Sequence, residues 1–276
     1  MKTETNDTRK VFSKMGSCSR TFCYLLNREF GCTMEAEERA ADPLAGGIVM
    51  RGHQCGMLWG STLASGAESY RSHGDRGRAT AAAIVAAGNL AASYARRAGS
   101  VNCRDVCGHD FTRRIELLKF MVKFILHINR HCFELAEAWA PEAMHVAAEG
   151  LAGGREGLSR EPLSCASEVA KKMGAGDRET VMVAGLAGGI GLGGHGCGAL
   201  AAAIWLKCLR WCRENPGKSA YNHPEASRVL RVFIDTVGDE LRCEKLVGRR
   251  FMSIDDHTEY IQKGGCANLI EALARS

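Results

Sequence analysis

The sequence predicts an all-α protein built from two homologous helical units that are related by an internal duplication, with a pseudo-twofold relation between them. Three observations lead to this prediction. Alanine-rich stretches with few runs of β-branched residues favour helix over strand. Proline occurs only five times in 276 residues, so little interrupts such helices. One segment of thirteen residues, together with the cysteines that follow it, occurs twice along the chain.

The repeated segment ends in a Cys-Gly pair. Residues 44–56, LAGGIVMRGHQCG, return as residues 186–198, LAGGIGLGGHGCG, with nine of thirteen positions identical. An apolar run of small residues follows each copy and predicts a helix. Later in each half comes a cysteine, Cys103 or Cys243, followed by glycine five positions on and phenylalanine eight positions on. A last cysteine, Cys132 or Cys266, opens a further apolar helical pattern.

These matches predict two copies of a whole domain rather than a solenoid, because a repeat of about 140 residues occurs only twice. The first unit is predicted at residues 1–149 and the second at residues 158–276. The glycine-rich stretch 150–157 is the predicted linker. Residues 113–139 carry an amphipathic helical pattern, whose apolar side is expected to face the core and includes Ile115, Leu118 and Val122.

Composition and charge exclude several classes of partner. The net charge of +5 is modest and the basic residues are scattered, so we expect no nucleic-acid binding. We also expect no membrane span, because an uncharged stretch at residues 181–206 contains eight glycines and suits a lipid-facing helix poorly. The first residues are polar and lack the apolar core of a secretory signal, which predicts a cytoplasmic protein.

Thirteen cysteines are many for a chain of this kind. Persistent disulfides are rare in a reducing compartment, and the count is odd, so the cysteines point to metal binding or thiol chemistry. Burial as small apolar side chains is the alternative. Cys23 is an alternative to Cys18, because Cys23 and Cys165 lie equally far before their Cys-Gly cysteines. The predicted metal ligands are Cys18, Cys55, Cys103 and Cys132 in the first unit, and Cys165, Cys197, Cys243 and Cys266 in the second.

This arrangement resembles the C_GCAxxG_C_C family of redox-active proteins, and the resemblance covers nearly the whole chain, twice. The family motif is present as Cys55-Gly-Met-Leu-Trp-Gly60 and as Cys197-Gly-Ala-Leu-Ala-Ala202. The first copy keeps the closing glycine and replaces the alanine, and the second does the reverse. The family is similar to the iron–sulfur portion of split-Soret cytochromes c. The resemblance therefore implies an iron–sulfur cluster, [2Fe–2S] or another type, while the absence of Cys-x-x-Cys-His predicts no covalent haem.

Four thiolates from separate helices suit an iron–sulfur cluster, and zinc is the alternative because it also binds sulfur. His53 and His195 each stand two positions before a Cys-Gly cysteine and are the catalytic candidates. Their imidazoles could bind metal, accept a proton or donate to sulfur, whereas a bond to local backbone is the alternative. Six glycines are predicted to lie at the cofactor, where they would let the backbone approach it closely or turn sharply. They are Gly47, Gly52, Gly56, Gly189, Gly194 and Gly198.

For function, the sequence favours an iron–sulfur or thiol-based redox protein that exchanges electrons with a partner protein. A metalloenzyme that acts on a small-molecule substrate and a zinc-stabilised helical interaction module are the two alternatives. Whether the protein is an enzyme, and whether two chains form a homodimer, is left open by the sequence.

Overall fold

The computed structural model describes residues 7–111, 113–125, 130–153 and 158–276. This part of the chain contains fifteen α-helices and no β-strand, which confirms the predicted all-α fold. None of the described helices combines the length and the apolar character that crossing a membrane requires.

The first half of the chain contains eight helices. Their bounds are α1 Thr8–Met15, α2 Cys18–Glu29, α3 Glu35–Ala40, α4 Gly56–Ser72, α5 Arg76–Ala98, α6 Cys103–Cys107, α7 Arg114–Ile125 and α8 Arg130–Gly153. The second half contains seven. Their bounds are α9 Cys165–Lys172, α10 Asp177–Met182, α11 Gly198–Glu214, α12 Pro224–Val237, α13 Cys243–Val247, α14 Ile254–Gln262 and α15 Ala267–Arg275.

Four helices of each half begin at corresponding points of the sequence: α2 and α9, α3 and α10, α4 and α11, and α6 and α13. Ser17 and Ser164 cap α2 and α9 in the same way, because each side chain accepts a backbone N–H from three residues further on. Cys55 and Cys197 occupy the N-cap positions of α4 and α11. A short 3-10 turn lies at 42–44 in the first half and at 184–186 in the second. The helix α9 is shorter than α2, with eight residues against twelve.

The two halves pack round a shared core. Trp59, Trp139 and Trp205 are fully buried in it, and the indole N–H of Trp205 donates a 3.0 Å hydrogen bond to the carbonyl of Glu37 in the other half. The buried guanidinium of Arg39 donates to three carbonyls at and after the end of α11, those of Cys212, Asn215 and Lys218. These bonds satisfy a buried charge and fix the loop after α11 against the first half.

The apolar face predicted for residues 113–139 differs from the structure. The pattern corresponds to α7 and the first part of α8, and residues 126–129 lie outside the described part of the chain. Ile115, Leu118 and Val122 are 70%, 66% and 47% exposed, so the expectation that they face the core is wrong. The spacing of apolar residues shows which side of a helix is apolar, but it does not show whether that side packs against the core.

The predicted linker begins inside a helix. Residues 150–153 are the end of α8, and Gly150 packs there against the backbone of Ala86 in α5. Residues 154–157 lie outside the described part of the chain. The close approach of two helix backbones explains the glycine at this point better than linker flexibility does.

Candidate functional site

Four cysteines of the first half line one cavity of about 200 Å³, which we call the first cysteine cavity. Each comes from a different helix: Cys18 begins α2, Cys55 caps α4, Cys103 begins α6 and Cys132 lies in α8. The remaining lining is mainly apolar and includes Phe12, Met50, Met57, Val106, Phe120 and Tyr221. The structure therefore brings together the four predicted ligands of the first unit.

Cys23, the alternative to Cys18, is not among the residues that line this cavity. Its side chain is fully buried further along α2, where the amide nitrogen of Asn27 lies 3.8 Å from its sulfur. Burial and the nearby carboxylates of Glu38 and Glu37 raise the pKa of the Cys23 thiol well above its ordinary value. A thiol in these surroundings stays protonated and serves as a small core side chain.

Glycines of α4 allow that helix to approach Cys18 closely. A Cβ at Gly56 would overlap the Sγ of Cys18, and a Cβ at Gly60 would overlap the carbonyl oxygen of Ser19. Both positions belong to the first copy of the repeated motif, Cys55 to Gly60. The glycines of the motif thus bring the first turn of α4 against the first turn of α2, and the two sulfurs next to each other.

Cys18 and Cys55 lie close to each other and have opposite pKa shifts. Hydrogen bonding to Cys55 lowers the pKa of Cys18 from its ordinary value, and the amides of Gly46 and Ser19 act in the same direction against burial. The bond to Cys18 and burial raise the pKa of Cys55 well above its ordinary value. One sulfur of the pair is therefore suited to be the anion while the other keeps its proton.

A fifth thiol, Cys107, lies near Cys103 at the edge of the site. Hydrogen bonding to Cys103 lowers the pKa of Cys107, and the same interaction together with burial raises the pKa of Cys103 well above its ordinary value. The sulfur of Cys107 also lies 3.7 Å from the carbonyl oxygen of His109. Val247 holds the corresponding place in the second half, so comparison of the two copies gave no signal for this residue.

Four cysteines of the second half also lie near one another, and we call them the second cysteine group. Cys165 begins α9, Cys197 caps α11, Cys243 begins α13, and Cys266 precedes α15 with a left-handed φ of 58°. Burial raises the pKa of the Cys243 thiol, and the sulfurs of Cys165, Cys197 and Cys266 raise it further. The hydroxyl of Tyr260 lies 3.7 Å from the Sγ of Cys266.

A turn of left-handed backbone precedes each Cys-Gly pair. Residues 46–50 and residues 188–192 all have positive φ. The first of these turns includes Ile48, Val49 and Met50, although left-handed backbone costs a non-glycine residue about 1–2 kcal/mol. Strain of this kind is concentrated at functional sites. The Gly-Gly pairs pointed to a sharp turn, but nothing in the sequence indicated that three larger residues would continue it.

The backbone of each predicted histidine joins this turn to the next cysteine helix. The N–H of His53 donates to the carbonyl of Gly47 at 3.1 Å, and the N–H of Cys103 donates to the carbonyl of His53 at 2.6 Å. A Cβ at Gly47 would overlap the backbone of His53. The same two bonds in the second half, of 3.2 and 2.6 Å, involve Gly189, His195 and Cys243.

The imidazoles themselves have charged neighbours. Burial lowers the pKa of His53, whose charged neighbours include Glu240 and Arg104. Burial likewise lowers the pKa of His195, and Arg250 lowers it further. Neither histidine is among the residues that line the first cysteine cavity. The described contacts agree with a backbone role, and a catalytic role of either imidazole stays a prediction.

The remaining predicted glycines also act through the backbone. Gly52 and Gly194 both have positive φ. The carbonyl of Gly52 accepts the N–H of Arg104 at 3.1 Å, and the carbonyl of Gly194 accepts the N–H of Glu244 at 3.0 Å. A Cβ at Gly198 would overlap the carbonyl oxygen of Leu186. These glycines hold the loop in shape, whereas Gly56 lies directly against a cysteine sulfur.

Tyr94 of α5 lies against the sulfur of Cys55. Its side chain is fully buried, yet its hydroxyl has no hydrogen-bond partner of normal geometry within the described residues. Burial raises the pKa of Tyr94 well above its ordinary value, and Cys55 adds to the effect. Trp139 holds the tyrosine ring edge-on, with the centroids 4.7 Å apart. Comparison of the two halves of the sequence did not reveal Tyr94, because the second half has Phe233 at the corresponding place.

These features define a class of protein: an all-α chain with buried thiols gathered at the starts of helices. Residues 17–150 match the family model described as "Putative redox-active protein (C_GCAxxG_C_C)". The matched residues include all four cysteines of the first cysteine cavity, and the match supports a general redox role. No curated protein and no solved structure matches the chain.

Proposed function

We propose that the first cysteine cavity is a redox site in which Cys18, Cys55, Cys103 and Cys132 hold an iron–sulfur cluster, a [2Fe–2S] centre in its simplest form. One observation carries the proposal: four sulfurs from four helices, far apart in sequence, line a single, mainly apolar cavity. Cysteine thiolates hold such clusters, and a [2Fe–2S] centre takes four of them. When bound, the cluster would supply one-electron transfer.

The chemistry of the donor set fits such a group. Three of the four cysteines stand at the starts of helices, where backbone amides favour the thiolate form. The backbone amides of Gly46 and Ser19 lower the pKa of Cys18. The hydroxyl of Tyr94 lies beside Cys55 without a partner, and a metal-bound thiolate would provide one.

Thiolate ligands suit both an iron–sulfur cluster and zinc. Within the described residues, no group of three or more His, Cys, Asp or Glu side chains is arranged to hold one metal ion. The match to a family described as redox-active favours the cluster, because zinc has no redox chemistry. Zinc stays the alternative occupant.

The chain's own residues would bind the cluster and limit its contact with water. Phe12, Phe120 and Tyr221 are part of the apolar lining, and the exclusion of solvent is one of the factors that set a cluster's reduction potential. We propose a redox protein as the partner in electron exchange. All thirteen cysteines are free thiols, which supports a reducing compartment such as the cytoplasm.

We propose further that the two halves arose by duplication and that the second cysteine group is a second site of the same kind. The matching starts of the cysteine helices support this proposal, as do the paired left-handed turns and the equivalent hydrogen bonds at Cys103 and Cys243. The hydrogen bond between Gln54 and Gly196 joins corresponding positions of the two halves. Direct contact between equivalent residues is what a pseudo-twofold arrangement predicts.

A dithiol reaction is the second candidate, and the Cys18–Cys55 pair favours it. The Cys18 thiolate would attack a disulfide of a partner protein, forming a mixed disulfide and releasing one partner thiolate. The Cys55 thiol would then lose its proton and attack Cys18, releasing the second partner thiolate and leaving a Cys18–Cys55 disulfide. The partner is thereby reduced by two electrons. Action on a small-molecule substrate stays a further alternative.

The test is anaerobic purification of the full chain, followed by an absorption spectrum and analysis of iron, acid-labile sulfide and zinc. We expect a brown protein with charge-transfer bands in the visible range. Cys18→Ser should lose part of the colour, whereas Cys23→Ser, the matched change on the same helix, should keep it. A colourless protein that contains zinc would overturn the cluster, and equal effects of the two substitutions would overturn the assignment of Cys18.

A further inference from the structure

Tyr94 is a buried polar residue that lacks a partner in the structure. Buried tyrosine hydroxyl groups are normally hydrogen-bonded, and a buried hydroxyl without a partner costs about 1–3 kcal/mol. The hydroxyl of Tyr94 is such a group, although it lies against the sulfur of Cys55. The ring is held edge-on by Trp139, whose indole N–H is in turn fixed by a 3.0 Å bond to Ser93. The position of the hydroxyl is therefore set by packing and not by a hydrogen bond of its own.

The second half has a phenylalanine at the corresponding place. Tyr94 lies five residues before Gly99, which ends α5, and Phe233 lies five residues before Gly238, which ends α12. Both side chains are fully buried. The carbonyl that accepts the N–H of the Cys-Gly cysteine, at 2.8 Å in both halves, comes two residues after Gly99, at Val101, and three residues after Gly238, at Leu241. The two cysteine sites thus differ at this position by one hydroxyl group.

We propose that Tyr94 is a positioning residue of the first site, whose hydroxyl donates a hydrogen bond to the Cys55 sulfur when that sulfur is a metal-bound thiolate. The second cysteine group has Phe233 in this place and so receives no such bond at Cys197 from it, and its tyrosine contact, from Tyr260, is to a different sulfur, that of Cys266. The inference rests on the proposed function and deepens it, because it makes the two sites electronically unequal. A thiolate is a much better acceptor than a thiol, so the bond would strengthen when metal binding displaces the proton of Cys55 into solution.

The unequal hydrogen bonding has two consequences. Hydrogen bonds to the sulfurs of a cluster stabilise its more negative, reduced form and thereby raise the reduction potential. The hydrogen bond from Tyr94 should therefore give the first site a higher reduction potential than it would have with phenylalanine in this place, which favours reduction of the first site before the second. Loss of a partner that orients a metal ligand typically weakens metal binding by about 10–100-fold, so Tyr94 should also slow the loss of iron.

The experiment compares Tyr94→Phe with the wild-type full chain in two states, reduced and metal-free, or reconstituted anaerobically with ferrous iron and sulfide. In the metal-free state the variant should be as stable as wild type or more stable in urea, because the change removes an unpaired hydroxyl. In the reconstituted state, one of two centres should shift to a more negative potential and lose iron to a chelator about tenfold faster or more. Phe233→Tyr, the matched change in the second half, should leave the reduction potential and the iron loss of the first centre unchanged.

Each outcome decides the matter. A metal-free Tyr94→Phe protein that is clearly less stable than wild type would show that the hydroxyl already has a partner, and the inference would fall. Unchanged potentials and iron loss in a variant that loads normally would overturn the inference alone. A wild-type chain that takes up no iron would overturn the proposed cluster, and the role of Tyr94 with it.

Discussion

The amide N–H of Gly196 donates a 2.5 Å hydrogen bond to Oε1 of Gln54, across the two halves of the chain. The two residues are 142 positions apart, and each directly precedes the cysteine that caps its helix, Cys55 or Cys197. The side chain of Gln54 is 1% exposed, so the bond forms away from water. One buried contact therefore joins the backbones that carry the two cysteine sites.

Removal of this acceptor should destabilise the whole chain. Gln54→Ala leaves the buried amide of Gly196 unpaired, and we expect a loss of about 1–3 kcal/mol in the free energy of unfolding. Asn102→Ala is the control, because it keeps the Gly196 bond and removes the 3.2 Å bond that Asn102 accepts from the other end of the Gln54 amide, together with an exposed 3.1 Å bond that Asn102 donates to Asp105. Urea unfolding of the full chain measures both variants. A smaller loss for Gln54→Ala than for Asn102→Ala would contradict the expectation.

Gly56→Ala should damage the site more than the fold. The added Cβ meets the Sγ of Cys18, the end of a short side chain that can turn away. We expect the visible absorption of the anaerobic protein to fall while the far-UV circular dichroism stays unchanged. Gly198→Ala is the matched change in the second half, where the Cβ meets the backbone carbonyl of Leu186. There the free energy of unfolding should fall by about 1–3 kcal/mol or more. Equal loss of colour and stability in both variants would refute this distinction.

The sequence allowed much of the first site to be predicted, because two copies of one motif can be compared within a single chain. Recurrence selected Cys55, Cys103 and Cys132, and these three line one cavity together with Cys18, the preferred first cysteine. The helical pattern likewise predicted the fold class. Recurrence could not decide between Cys18 and Cys23, because α9 is shorter than α2 and gapless spacing pairs Cys23 with Cys165.

Other parts of the site lay beyond this kind of comparison. Cys107 and Tyr94 do not recur, since the second half has Val247 and Phe233 in their places. Tyr221 belongs to the second half but lines the cavity of the first, where its hydroxyl lies 3.1 Å from the sulfur of Met50. A contact between halves leaves no local pattern in the sequence. The loop that carries Tyr221 is bound to the first half by Arg39 of α3, which donates to the carbonyls of Asn215 and Lys218.

Acid should weaken the packing near the second cysteine group. His257 is 1% exposed, and its Nδ1 lies 3.0 Å from the carbonyl oxygen of Leu163, two residues before Cys165. Burial lowers the pKa of His257 from 6.5 to about 4. His257 is therefore protonated near pH 6.5 in the unfolded chain but only near pH 4 in the folded chain. The stability from this residue is complete above pH 6.5, and as the pH falls to 4 about 3 kcal/mol is lost.

Urea unfolding of wild type and His257→Gln between pH 7.5 and about 4.5 measures this contribution. The glutamine keeps a donor for the Leu163 carbonyl but does not titrate. We expect the variant to lose less stability than wild type over this range. An identical dependence on pH in the two proteins would rule out His257 as the cause.

The Cys18–Cys55 pair should control thiol reactivity in the reduced, metal-free protein. The hydrogen bond from Cys55 is the main reason that the pKa of Cys18 lies below its ordinary value. Because the thiolate is the reactive form, Cys18 should be alkylated by iodoacetamide at a lower pH than an ordinary thiol. Cys55→Ala removes the bond and should move the alkylation profile of Cys18 to higher pH. Cys55→Ser retains a donor and should move it less. Peptide mapping by mass spectrometry follows Cys18 alone, and a profile that is the same in all three proteins would mean that Cys55 has no part in activating Cys18.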